Sequence, residues 1–132
     1  MALNPKTAVA IRNTSLDVFD TLDSGKLRIY SGTQPTDADT AIVGQNLGAD
    51  LALGADSFAA ASSGSKAANT ITDDTSADAA ITATWGALLT SGNVRKLDFS
   101  VGTSGANLNL NSDAIALGAT VSVTAFTITQ AA

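Results

Sequence analysis

The side chains in this chain that could do chemistry are carboxylates and hydroxyls, because the sequence contains no histidine and no cysteine. Their absence removes imidazole bases, thiolate nucleophiles and the commonest ligands of zinc. The densest acidic cluster consists of Asp73, Asp74 and Asp78, and carboxylates in such a loop could bind calcium. The spacing matches no EF-hand loop and includes no glutamate, so the favoured interpretation is that these aspartates form turns. No metal site is predicted, and whether this loop binds an ion is left open by the sequence.

Two other acidic groups could be paired carboxylates of an acid–base catalyst: Asp37 with Asp39, and Asp17 with Asp20 and Asp23. A glycosidase needs one carboxyl group with a raised pKa in a cleft, and aromatic side chains often line that cleft. Only 5% of this chain is aromatic, and these aspartates fall in turn-like or helix-surface positions. Solvated surface positions are therefore the favoured interpretation.

Serine and threonine are abundant, but a nucleophile needs an activating base, and only lysine or aspartate could serve here. Residues 63–66, Ser-Gly-Ser-Lys, match the letters of an S-x-x-K motif without its companion motifs. Residues 102–105, Gly-Thr-Ser-Gly, lack the G-K-[ST] of a phosphate-binding loop. No catalytic residue and no cofactor site is predicted, and the chain is not expected to be an enzyme.

Length and composition indicate one domain of 132 residues with a thin core, because much of the 45% hydrophobic content is alanine. All twelve acidic residues are aspartate, and the net charge of −5 argues against nucleic acid as a partner. No apolar run approaches the roughly 18 residues of a membrane span, and no cleavable signal pattern opens the chain. A soluble protein with no membrane partner is expected, and the lack of cysteine suits a reducing cytoplasm as the place of synthesis.

Alternation of apolar and small polar residues dominates the chain, most clearly from residue 96 to residue 130 and from Lys26 to Tyr30. A period of two is typical of strands with one buried face. About eight short strands are predicted, which favours an all-β fold, an antiparallel β-sandwich of jelly-roll type. The predicted organisation is an N-terminal helix or arm over residues 1–25 and a single sandwich domain over residues 26–132.

The N-terminal helix is predicted between Thr7 and Leu22, where apolar residues recur at spacings of three and four, with Gly25 positioned to end it. In the last strand, Val121 and Val123 fall on one face but Phe126 and Ile128 fall on the other. Either a bulge near Ala125 resets the alternation, or both faces of the strand are covered. The second alternative leaves apolar residues for association. The predicted association surface consists of Val9, Ile11, Leu16, Phe19, Leu22, Phe126 and Ile128.

Several segments taken together resemble small virion proteins of tailed bacteriophages, and the likeness covers most of residues 27–129. The segments are LRIYSGTQP at 27–35, NTIT at 69–72 with Asp78, ATW at 83–85, SVGTSGANLNLNS at 100–112 and GATVSVT at 118–124. The resemblance implies a non-enzymatic component of the particle, a capsid decoration (cement) protein that stabilises the assembled head shell. It also implies the major capsid protein and further copies of this chain, as a dimer or trimer, as partners, and the capsid surface of the virion as location.

Two alternatives stay open beside the decoration protein. The same fold could serve in a phage tail, a fibre or a head–tail connector, because the resemblance does not specify the position on the virion. A carbohydrate-binding module is the second alternative, although it needs exposed aromatic platforms and the chain has few aromatic residues.

Overall fold

The computed structural model describes residues 8–129, so residues 1–7 of the predicted N-terminal arm and residues 130–132 lie outside the described part. A helix and a short 3₁₀ helix precede the strands. In chain order the elements are α1 Val9–Asp17, the 3₁₀ helix Val18–Leu22, β1 Lys26–Tyr30, β2 Leu47–Leu53, β3 Ser65–Ala67, β4 Ile71–Thr72, β5 Ile81–Thr82, β6 Trp85–Leu89, β7 Arg95–Gly102, β8 Leu108–Leu110, β9 Ala114–Ile115 and β10 Val123–Thr129.

Hydrogen bonds join eight strands into one sheet in the order β3-β10-β8-β7-β6-β1-β2-β4, and β5 pairs with β9 in a separate ribbon. Neighbouring strands are antiparallel except β7 and β8, which are parallel. The sheet curls: Asp74 and Val121 exchange backbone hydrogen bonds of 3.1 and 2.7 Å, which join the chain after β4 to the chain before β10. The all-β class with a short N-terminal helix is confirmed. The two face-to-face sheets of a jelly-roll sandwich are not confirmed, since one ladder of pairs connects the eight strands.

The concave face of the curled sheet surrounds the main hydrophobic core. Side chains from β1, β2, β7, β8 and β10 meet there, and the aromatic rings form a connected series. The ring centroid of Phe126 lies 4.8 Å from that of Phe99 and 5.9 Å from that of Phe58, which in turn lies 6.4 Å from Phe19. These rings connect β7 and β10 with the segment around Phe58 and with the 3₁₀ helix, so the core joins the sheet to the elements packed on it.

The convex face of the sheet carries a second, smaller apolar layer. Every residue of β6 is buried, which happens because its neighbours cover both faces. The loop of residues 31–46 passes over this face, and its Ile42 packs there. We call this layer the outer-face cluster, and its members are Tyr30, Ile42, Leu47, Trp85, Ala87 and Leu89.

The N-terminal helix is confirmed in a shorter form than the predicted segment, since α1 ends at Asp17 and continues as the 3₁₀ helix. Asn13 Oδ1 accepts a hydrogen bond of 2.9 Å from the backbone N–H of Gly64, which attaches α1 to the turn before β3. The chain then turns at Ser24, which has a φ of 58°. Gly25 follows with no room for a side chain, because a Cβ there would lie 2.2 Å from the carbonyl oxygen of Leu89.

Of the two alternatives for the last strand, the structure has the bulge, so the expectation that Phe126 needs a cover from outside the chain is wrong. Val123 pairs with Leu110 and Ala125 pairs with Asn109, so the register shifts between Val123 and Ala125. The extra residue brings Phe126 to the same core as Val121. One buried face therefore suffices for this strand.

Candidate functional site

The only tryptophan and the only tyrosine of the chain meet in the outer-face cluster. Trp85 is fully buried, and its ring stacks on that of Tyr30 with centroids 4.5 Å apart and an interplanar angle of 12°. Trp85 Nε1 donates a hydrogen bond of 3.3 Å to the carbonyl oxygen of Ser31. The Arg95 guanidinium carbon lies 6.0 Å from the Trp85 ring, which is the range of a cation–π contact.

Arg95 connects this cluster to the loop that covers it. One of its guanidinium nitrogens donates to the carbonyl oxygen of Asp37 at 2.8 Å and also to the carbonyl oxygen of Thr40. The same nitrogen lies 3.1 Å from Asp98 Oδ2, and Arg95 Nε lies 2.8 Å from Asp98 Oδ1. The side chains are 11% exposed for Arg95 and 3% exposed for Asp98, so this is a buried ion pair. We call Arg95, Asp98 and the two loop carbonyls the Arg95 clamp.

The two carboxyl groups near Arg95 have pKa values shifted in opposite directions. Burial raises the pKa of Asp98 above 3.8, although Arg95 acts against that shift. The pKa of Asp37 is lowered, first by the hydrogen bond that its carboxylate accepts from the Thr40 hydroxyl at 2.8 Å. The surroundings of Asp98 favour its neutral form, and its side chain is enclosed. The contacts of Arg95 hold loop 31–46 against the sheet.

Sequence reasoning missed the clamp. Alternation places Asp98 on the polar face of a strand, and residues 31–39 have only the polar composition of a loop, so neither pattern indicates the contact between them. The available signal was the three-residue spacing of opposite charges within a strand, at a bulge where β7 shifts register against β6. Such a bulge can turn two charged side chains towards the same side of the sheet.

The acidic cluster in residues 73–78 serves the backbone. Asp74 Oδ1 accepts a hydrogen bond of 2.9 Å from the N–H of Ser76, and Oδ2 accepts one of 2.9 Å from the N–H of Asp50. The bond from Ser76 is the one expected of a turn residue, whereas the bond from Asp50 ties the turn to β2. Among residues 8–129, no group of three or more acidic, histidine or cysteine side chains is arranged to hold a metal ion.

Two of the helix-side aspartates, Asp20 and Asp23, also make internal contacts, and the side chain of Asp17 lies outside the described part. Asp20 Oδ1 lies 3.0 Å from the ammonium group of Lys66, whose side chain is buried. Asp23 Oδ1 accepts hydrogen bonds from the backbone N–H and the hydroxyl of Ser57, at 2.9 and 2.7 Å, and these bonds lower the pKa of Asp23. Lys66 of the S-x-x-K match is thus used in an ion pair beneath the 3₁₀ helix.

The structure divides the predicted association residues into three groups. Leu16, Leu22 and Phe126 are buried within the chain itself, so their side chains are not available on the surface. Phe19 and Ile128 are partly buried and pack against the main core. Val9 and Ile11 lie on α1 and are 45% and 62% exposed.

Three more large apolar side chains are exposed at loops and turns that sequence reasoning did not select. They are Val43 in loop 31–46, Val94 in the turn between β6 and β7, and Leu117 after β9. Together with Val9 and Ile11 they form the exposed apolar set of the described residues.

No protein family, curated protein or solved structure matches this chain. No helix within residues 8–129 is long and apolar enough to cross a membrane. The resemblance to phage virion proteins therefore stays a prediction, and the surface and the interior of this chain have to support any assignment of function.

Proposed function

We propose that this protein is a structural component of a phage virion, a capsid decoration protein that binds the assembled head shell. The observation that carries the proposal is the exposed apolar set. These side chains lie on the surface although the chain buries many other apolar side chains in its main core and in the outer-face cluster. Large apolar side chains left on a surface are available for contacts with other proteins. The buried Arg95–Asp98 ion pair and the internally bonded Asp74 support a non-enzymatic role.

The N-terminal helix is the part of this set that is best suited to association. Val9 and Ile11 are both exposed on α1, and the helix is held to the sheet by Asn13 and by the buried Leu16. Complete burial of one isoleucine side chain is worth about 1.5–3 kcal/mol. Summed over many copies on a symmetric shell, contacts of this size would stabilise the assembled head by mass action.

The copy number of the protein on the particle tests this proposal. Virions of the phage that encodes this chain would be purified, and the ratio of this protein to the major capsid protein would be measured by quantitative mass spectrometry. A ratio fixed by shell symmetry, near one copy or one oligomer per capsomer, is expected. A handful of copies per particle would instead support the tail, fibre or head–tail alternative, and absence from the particle would refute a virion role.

An Ile11→Ser variant tests the surface itself. Stripped heads would be mixed with the wild-type protein or with the variant and then sedimented, and the variant is expected to bind more weakly. Thr14→Ser is a matched control, because Thr14 is exposed on the same helix and its hydroxyl bonds to Ala10, which serine can reproduce. Equal binding of Ile11→Ser and wild type would remove α1 from the proposed surface.

The carbohydrate-binding alternative has less support. Trp85 and Tyr30, the aromatic side chains with the largest flat faces, are buried under loop 31–46. A glycan array would detect such binding directly.

A further inference from the structure

The curled sheet has a position that a strand fills only in part. β8 is three residues long, and it lies between two strands that are seven and eight residues long. β8 pairs with β7 only at Val101 and Gly102, and it pairs with β10 only as far as Phe126. Next to the earlier residues of β7 and residues 127–129 of β10, no strand of the described residues lies between these two strands. The chain that leads into β8 turns away instead, as Gly105 with its φ of 70° shows.

A crevice of about 150 Å³ occupies this position. Apolar side chains from both strands line it, together with polar groups at its rim. Its lining residues are Leu97, Asp98, Phe99, Asn107, Phe126, Thr127, Ile128 and Thr129.

Backbone hydrogen-bonding groups from both strands face the crevice. Ser100 donates its N–H to Asn107 Oδ1 on the β8 side, and Asp98 faces the same side because backbone groups in a strand alternate with a period of two. In β10, the carbonyl oxygen of Phe126 accepts from Ala68 on the opposite, β3 side. The same alternation directs the N–H and C=O groups of Thr127 and Thr129 into the crevice. β7 and β10 thus present backbone N–H and C=O groups towards each other across the gap that the short β8 leaves between them.

We propose that this crevice is a strand-acceptor site, where an extended segment of a partner protein adds as a short strand between β7 and β10. Backbone groups on two parallel walls recognise a polypeptide in extended form, and the apolar floor accepts alternate side chains. The two walls run over residues 98–100 and 127–129, about 10 Å of strand each, and the N–H groups offered to a partner are those of Asp98, Thr127 and Thr129, since the N–H of Ser100 is bonded to Asn107. Under the proposed function the donor is the major capsid protein, and in that respect the inference rests on the proposed function.

A folded second copy of this chain is a poorer donor. The alternating segments of residues 8–129 are already strands of their own sheet or ribbon, and releasing one would break existing pairs. A separate protein with an extended arm can supply a strand at no such cost.

Hydrogen exchange, followed amide by amide, tests the site in two states. In the free protein the N–H groups of Asp98, Thr127 and Thr129 are expected to exchange fast, whereas Ile128, which faces β3, is expected to be protected. On heads of the same phage, the three fast amides should become protected. Protection of these three amides in the free protein would overturn the inference, and concentration-dependent protection without heads would identify a second copy as the donor and refute the foreign partner.

A pair of proline variants separates the site from the rest of the strand. Thr127→Pro removes an N–H that faces the crevice, whereas Ile128→Pro removes an N–H of the β3 ladder. Thr127→Pro is expected to fold and to bind heads at least tenfold more weakly, and Ile128→Pro is expected to destabilise the fold. Heads that bind neither wild type nor variant would refute the proposed function. If heads bind the wild type but do not protect the three amides, the strand-acceptor site is refuted and the proposed function is not. This comparison uses only the wild type, so it holds even if Thr127→Pro fails to fold.

Discussion

Replacing Arg95 by methionine tests whether the Arg95 clamp holds loop 31–46 on the sheet. Methionine keeps most of the length of the side chain but removes the charge, the bonds to the carbonyl oxygens of Asp37 and Thr40, and the ion pair with Asp98. Removing one partner of a buried ion pair costs about 3–5 kcal/mol, because the other charge stays buried without compensation. That loss is a large part of the roughly 5–15 kcal/mol that stabilises a typical domain.

Urea denaturation followed by the fluorescence of Trp85 is the assay, since this single tryptophan lies beneath the clamp. With a slope of about 2 kcal/mol per molar urea, a loss of about 4 kcal/mol lowers the unfolding midpoint by about 2 M. Arg28→Met is the matched control: Arg28 pairs with Asp50 at 3.3 Å, but the two side chains are 25% and 35% exposed. Such a pair is worth about 0–1 kcal/mol.

A double variant, Arg95→Met with Asp98→Leu, separates the ion pair from the loop contacts. Removing both charges eliminates the unpaired carboxylate, so the double variant is expected to recover stability relative to Arg95→Met. The reasoning would be refuted if Arg95→Met cost no more than Arg28→Met. A double variant less stable than Arg95→Met would show that the unpaired Asp98 charge is not the source of the loss.

Three further predictions concern pH, backbone space and the core. Burial raises the pKa of Asp98 in the folded protein above 3.8. Below pH 3.8 the carboxyl group is neutral and its burial costs no stability, whereas above the raised pKa it is charged and its burial lowers the free energy of unfolding. An Asp98→Asn variant should therefore gain stability relative to wild type as the pH rises from about 3.8 towards neutral, measured by urea denaturation across pH; a constant difference would contradict this. Gly25→Ala should cost about 1–3 kcal/mol in thermal denaturation, because the new Cβ would meet the Leu89 carbonyl oxygen, whereas Gly92→Ala should be nearly neutral, as its Cβ would meet only the Thr90 hydroxyl oxygen, at an ordinary contact distance of 3.7 Å. In chemical denaturation, Phe126→Ala should lower the free energy of unfolding by about 3–5 kcal/mol, and Ile11→Ala should lower it by less than about 0.5 kcal/mol. Similar losses for the two variants would refute the assignment of Phe126 to the core and Ile11 to the surface.

The local elements were predictable because their signals lie within short stretches of sequence. The first strand has the predicted bounds, Lys26 to Tyr30, since clean alternation between two polar segments specifies both of its ends. The turn at residues 91–93 is also as predicted, with Asn93 at a φ of 66°. The bulge near Ala125 was one of two alternatives, and the phase change in the residue pattern was enough to locate it.

The candidate sites were less predictable, because covering an apolar residue depends on segments far away in the chain. Leu16, Leu22 and Phe126 belong to the predicted association surface, yet they are buried within this chain. Their alternation or helical spacing shows that one face must be covered, but it does not say whether the cover comes from the same chain or from a partner.

From its sequence alone, this chain is a β-rich protein with a short N-terminal helix and without imidazole or thiol chemistry. Those properties follow from composition and from periods of two and 3.6 residues, which act over a few neighbours. Only the tertiary structure decides that the strands close into one curled sheet, that Arg95 clamps a loop over Trp85, and that a short β8 leaves a crevice beside β10. Each of these features depends on contacts between residues that are distant in sequence. Several strands have similar local patterns and could pair with one another, so only the packing of the whole chain selects the pairs that form.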